Sequence, residues 1–283
     1  MRQRHSHRHA RGQAGFTLVE AIIVIVVTGI VAAMTAAFIR LPVQGYIDTE
    51  ARADMADAAD LALRRMSREL RLALPFSIGL YNGNQTIQFL LTKTGARYID
   101  AAFQPPATLL PLDFVGGNPS FDIVGAAPTG RQAIVPGDYI VIANSGTPPA
   151  NAYAFGAGAD NISRVAAING TRVTLQQNLF ASTQSPQQMF QVVTGTVTYV
   201  CTPAANGGGT LQRYYTTNIV SGVGNLAALG TPAVLTGMVA GCAFNNVPLA
   251  GRGGALMTMA LTLQRAGGES ARLVRQTQLD NPI

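Results

Sequence analysis

Glu20 stands at the head of an apolar run. No charged residue occurs from Ala21 to Ile39, and the acid opens that stretch in the context Gly15-Phe16-Thr17-Leu18-Val19-Glu20. An ionised acid at mid-bilayer costs on the order of 2.5 to 3.5 kcal/mol on insertion scales, less near the interface, so such a residue usually has a partner. Without one, the carboxylate has to snorkel to the headgroups. Other groups able to do chemistry are sparse. All three histidines, His5, His7 and His9, lie before Gly15 among Arg2, Arg4, Arg8 and Arg11, whose charge opposes a bound cation. Asp113, Asp122, Asp138 and Asp160 are dispersed, with no carboxylate pair, no Asp-x-Asp cluster and no metal-ligand spacing. Cys201 and Cys242 are the only cysteines. A disulfide between them would close a loop of about 42 residues; two buried thiols are the alternative.

Glycine clusters offer no nucleotide site. Asn206-Gly207-Gly208-Gly209 is not followed by Gly-Lys-Ser/Thr and reads as a mobile turn, and Gly156 and Gly158 lack a third glycine at the dinucleotide spacing. Asn84-Gln85-Thr86 and Asn161-Ile162-Ser163 match the short glycosylation pattern, which carries no weight alone.

The elements that must position these groups are legible by period. The 19 residues from Ala21 to Ile39 make a helix about 28 Å long, close to the hydrocarbon thickness of a bilayer. Arginines before Gly15, and the absence of lysine or arginine between Arg11 and Arg40, place the N-terminus in the cytoplasm and export the chain beyond Arg40. Pro42 is expected to kink the helix or break it briefly. Ile47, Ala51, Met55, Ala58, Ala62, Met66, Leu70 and Ala73 then draw one apolar stripe along a helix to about Leu74, with Pro75 as its stop. The opposite face carries Asp48, Arg52, Asp57, Asp60, Arg64, Arg68 and Arg71, with Asp60–Arg64 and Arg65–Glu69 at i,i+4 spacing, and reads as solvated. Interleaved acids and the lack of an aromatic platform exclude a nucleic-acid partner.

Beyond Pro75 the composition turns to Thr, Val, Gly, Asn and Pro, and helix gives way to sheet. The expected strands are Thr86 to Leu91, Asp138 to Ala143, Ile162 to Ile168, Thr171 to Leu175, Met189 to Val193, Thr196 to Val200, Leu211 to Tyr215, Ala255 to Gln264 and Ala271 to Gln278. Asn169-Gly170 is the strongest hairpin signal, read as a type I′ turn.

The stretch from Gly15 to Glu20 followed by an apolar helix resembles the processing site of type IV prepilins and type II secretion pseudopilins. The resemblance implies a peptidase that cuts after Gly15 and methylates Phe16, and it gives Glu20 the role of meeting the N-terminal amine of a neighbouring subunit. An opposite charge within a few ångströms offsets the desolvation of a carboxylate in an apolar bundle. Removing residues 1–15 takes the balance from 20 bases against 14 acids to 16 against 14, so the net charge of +6 falls to +2 and no histidine remains as a general base. The rival cut, by signal peptidase among Ala32, Ala33, Ala36 and Ala37, fits poorly with an acid opening the apolar stretch.

Further along, Asp60 to Met66, Leu74-Pro75, Pro136 to Val141, Phe190 to Cys201 and the tail Gln278 to Ile283 are similar to the MshO-type minor pilins of the mannose-sensitive haemagglutinin (MSHA) pilus; nothing between about Gly95 and Arg131 is recognisable. The implied fold is α+β and pilin-like: a basic leader (1–15), a transmembrane or filament-core helix (16–40), the amphipathic continuation of that helix (41–75) packed on a sheet, and an antiparallel β-rich domain (76–283). Implied partners are prepilin peptidase, major and other minor pilins and an inner-membrane assembly platform, with the chain in the inner membrane, its C-terminal domain periplasmic, before it enters a filament. No cofactor or enzymatic activity is expected. Alternatives are a type II secretion pseudopilin, some of which hold calcium on a loop, a periplasmic adhesin and, with least support, an anchored enzyme.

Overall fold

The computed structural model describes residues 15–115, 117–249 and 254–279. The histidines, the four N-terminal arginines and Asp280 to Ile283 lie outside the described residues. Two compact units meet in sequence at Ala51/Arg52.

Helix α1 (Leu18–Leu70) is continuous through Pro42, so the brief break expected there does not occur. A proline removes one N–H and costs about 3 kcal/mol, and the helix formers on either side carry the ladder past it. The C-terminal stop is also earlier than Pro75. Leu72 O accepts from Thr92 N (2.8 Å) and from Thr92 Oγ1 (2.7 Å), and Leu74 N donates to Leu90 O (2.8 Å). Strand pairing therefore captures the chain one turn before proline could end the helix.

Among the described residues eleven strands come after the helix, every pair antiparallel: β1 (Gly79–Tyr81), β2 (Thr86–Arg97), β3 (Ser120–Asp122), β4 (Tyr139–Val141), β5 (Ile162–Asn169), β6 (Arg172–Leu175), β7 (Met189–Thr202), β8 (Gly209–Thr216), β9 (Ala233–Leu249), β10 (Gly254–Gln264) and β11 (Ser270–Leu279). The order is β11-β10-β9-β8-β7-β4-β5-β6-β3, with β2 also on β7 and β1 on β2. The α+β expectation holds: one long N-terminal apolar helix precedes an antiparallel β domain.

Strand β7 organises the sheet. Read as two strands from sequence, it is one, with β2 along one edge and the other edge divided between β4 (Gln191 to Val193) and β8 (Thr196 to Thr202). Gly195 sits at the division with φ +148°, and a Cβ there would collide with Thr216 O, so the strand can pass only with glycine. The turn at Ala205–Gly207 is likewise tight: a Cβ on Gly207 would strike Gln264 O.

The core facing α1 shows both periods at once. Ala255, Met257, Met259, Leu261 and Leu263 alternate inward along β10, and Met55, Ala59, Ala62, Leu63, Met66 and Leu70 recur by threes and fours on the helix. Each large side chain so buried contributes roughly 1.5–3 kcal/mol. The expected stripe is shifted, with Ala59 and Leu63 fully in the core, Ala58 only half-buried and Ile47 exposed. The β5–β6 hairpin is present, but Asn169 pairs with Arg172, so Gly170 and Thr171 form the turn and only Gly170 has positive φ. That replaces the expected Asn169-Gly170 turn, because strand register and not the dipeptide sets the corner.

Part of the helix face expected to be solvated instead meets the sheet. Glu69 accepts from Arg213 Nε (2.8 and 3.1 Å), from Tyr199 Oη (2.7 Å) and from Arg65 Nε (3.4 Å). Asp60 pairs with Arg64 (2.5 Å) and with Arg275 on β11 (2.7 Å). Lys93, the chain's single lysine, makes a largely buried pair with Asp138 at 2.5 Å.

Candidate functional site

Thr17 caps α1: its Oγ1 accepts from Glu20 N (3.3 Å), and its carbonyl accepts the first helical bond from Ala21 N (3.1 Å). Glu20 thus occupies the third helical position, at the Thr-x-x-Glu spacing of a capping box, where the positive end of the helix dipole favours a carboxylate. The spacing was present in the sequence and sequence reasoning passed over it. Gly15 and Phe16 precede the helix and are exposed, Phe16 to 78%. Among the described residues Glu20 makes no ion pair.

The helix following Glu20 is long and apolar enough to cross a membrane, and no side chain of its apolar window is buried. Ile22 to Val27, Ile30, Val31, Met34, Phe38 and Ile39 are all exposed, a continuous apolar surface of the kind that marks a lipid or protein contact. The polar atoms within it are satisfied internally: Thr28 Oγ1 donates to Val24 O (2.5 Å) and Thr35 Oγ1 to Val31 O (2.7 Å). This stretch therefore needs no water.

The carboxylates weighed from sequence are separate and structurally engaged. Asp113 accepts from the backbone N–H of Val115, Gly117 and Asn118, Asp138 holds Lys93, and Asp160 binds Ser182 and Thr183. Burial alone would raise the Asp160 carboxyl, and those hydroxyl and amide donors reverse the shift and leave it lowered. Among the described residues no three metal-ligating side chains cluster. Asp122 takes Arg172 Nε (3.0 Å) and Nη2 (2.8 Å), and this guanidinium holds its carboxyl below the usual range. A lowered folded pKa contributes stability that is present above the unfolded value, about 3.9, and is lost as pH falls through the folded one. Arg172→Gln is accordingly expected to lower the unfolding temperature at pH 7 and to flatten its decline between about pH 4 and pH 2, read by circular dichroism.

Cys201, at the end of β7, and Cys242, in β9, form a disulfide. It fixes β9 to β7 around the turn that leads into β8. With 41 residues of separation the chain-entropy stabilisation is about 4 kcal/mol, so Cys242→Ser is expected to unfold at markedly lower denaturant, and reductant is expected to do the same to the wild type but not to the variant.

The family described as the prokaryotic N-terminal methylation motif matches residues 10–36. The chain carries a prepilin-type N-terminus. No curated protein and no solved structure matches it. The matched segment contains Gly15, Phe16 and Glu20 and runs into the exposed apolar helix. The motif implies handling by prepilin peptidase and assembly with pilins, the helix suits a membrane-anchored pilin, and the apolar helix followed by an antiparallel sheet is a pilin-like arrangement.

Proposed function

We propose that this chain is a minor pilin or pseudopilin, cut after Gly15, methylated on Phe16, held in the inner membrane by the 16–40 segment with residues 76–283 in the periplasm, and then drawn into a type IV filament that it primes or caps. The observation that carries the reading is Glu20: a carboxylate with no cation in its own chain among the described residues, at the head of an exposed apolar helix, inside the segment matching the methylation motif. The new amine of Phe16 on an adjacent subunit supplies the missing charge, and the low dielectric between packed apolar helices strengthens the pair. After removal of 15 residues the chain keeps 268 of 283, large for a repeating subunit, which favours a few copies at one end over a place in the shaft. Major and other minor pilins and the inner-membrane assembly platform are its partners. The MSHA class is preferred chiefly on the region of the two cysteines, Cys201 at the end of the Phe190-to-Cys201 stretch and Cys242.

The test is to shear and purify filaments and probe them with antibody to the 76–283 domain. The expected result is a substoichiometric band in the filament fraction and loss of filaments when the gene is deleted. Intact filaments that never contain the polypeptide, with export of secreted proteins impaired by the deletion, would move the reading to a type II secretion pseudopilin.

A further inference from the structure

A cavity of about 490 Å³ lies between the Leu74-Pro75-Phe76 segment, the residues following β4 and those leading into β7, wholly within the unit that begins at Arg52. Three independent features converge there.

The first is backbone strain. Phe76 (φ +57°) and Ala143 (φ +40°) line the cavity in the left-handed region, and Gln188 (φ +52°) lies between two of its wall residues. Each such conformation costs of order 1–3 kcal/mol for a residue with a Cβ, and conformations of this kind collect at ligand clamps. The second is an unmet polar atom. Gln191, in the cavity wall, has its amide oxygen buried with no hydrogen-bond partner, a deficit of about 1–3 kcal/mol that a ligand's donor relieves. The third is rigidity. Asn144 is itself buried, donates Nδ2 to Pro75 O (2.6 Å) and accepts at Oδ1 from Ala152 N (2.8 Å), so it ties two walls together before any ligand arrives.

The lining selects the ligand. Among the described residues no ionisable side chain faces the cavity, so a charged ligand would be desolvated without compensation. Amides and hydroxyls (Gln191, Gln187, Ser145) alternate with apolar surface from Phe76 and Met189. A molecule that is uncharged, rich in hydroxyl donors and apolar on one face matches both halves, and the volume is within the range of small-molecule sites. We propose that this cavity binds a neutral saccharide residue, its C–H face against Phe76 and one hydroxyl donating to the Gln191 amide oxygen, which turns into the cavity on binding. The proposal does not rest on the filament role.

The full chain in a zwitterionic detergent free of sugar headgroups is titrated with methyl glycosides of glucose, galactose and N-acetylglucosamine and with glucuronate, and binding is followed by saturation-transfer NMR. At least one neutral glycoside is expected to bind and glucuronate not to. Gln191→Leu is expected to weaken binding about tenfold or more without lowering the unfolding temperature, since it removes an unsatisfied group. Phe76→Gly, which suits the left-handed backbone, is expected to abolish binding and keep the fold. Silence from all three neutral glycosides, equal binding of glucuronate, or an unchanged affinity in Gln191→Leu overturns the proposal.

Discussion

Glu69→Ala is expected to lower the stability of the sheet-bearing unit by about 3–5 kcal/mol, the usual result of removing one partner from a buried ion pair. The Glu69 side chain is 18% exposed and that of Arg213 14%, and the carboxylate serves Arg213, Tyr199 and Arg65 together. Truncation strands a guanidinium between helix and sheet and removes the acceptor of a phenol. Burial, and after it the neighbouring carboxylate, pushes the Tyr199 pKa well above its ordinary value, so that group remains a donor in need of an acceptor. Spread over a domain of this size, the loss amounts to a fall in unfolding temperature on the order of 10 °C. Glu69→Gln keeps one acceptor and is expected to fall between. The double variant Glu69→Met, Arg213→Met removes both charges and is expected to recover most of the loss, because the penalty lies in the orphaned charge more than in the bond. Thermal unfolding followed by circular dichroism decides it: a single variant within about 1 kcal/mol of wild type would show the cluster to be wet and unimportant.

Glu20→Ala is expected to abolish incorporation into filaments while cleavage after Gly15 and membrane insertion continue. The local consequence is small, since an acid in the first turn contributes about 0.3–1 kcal/mol to the helix and Thr17 retains its own cap. The intermolecular consequence is large, since a positive amine among packed apolar helices is left without a counter-ion. Glu20→Gln separates the two effects: it keeps the capping-box geometry and loses the charge, so it should be processed normally and still fail to assemble. Filament counts by electron microscopy, set beside the processed fraction by immunoblot, give the readout. Normal filament numbers that contain the Glu20→Gln protein would remove the carboxylate from the assembly mechanism and leave it as a helix cap.

Legibility in the sequence tracks the range of the interactions. The apolar run behind Glu20 and the alternation along β10 are local periods, and both elements lie where those periods put them. Strand β9 was missed because Gly237, Gly241 and Pro248 interrupt its pattern, and it is held by pairing along both edges, with β8 and β10, more than by its own propensity. The Arg65–Glu69 spacing suggested a solvated helix pair. The stronger partner of Glu69, Arg213, is 144 positions away, and no local pattern announces it. β3 lies in the stretch from Gly95 to Arg131 that resembled nothing, and it is three residues long, too short to show a period. At the N-terminus the difficulty was different: the motif drew attention to a charge between subunits, and the capping role of Thr17, visible at the same spacing, went unread.

The central claim is a single cut. Purifying the protein from membranes of the native host and determining its N-terminus by mass spectrometry tests it most directly. One species beginning at Phe16 is expected, with a methyl group on its amine and residues 1–15 gone. A chain that begins at Met1, or one that begins near Phe38 after cleavage at the alanine cluster, would contradict it.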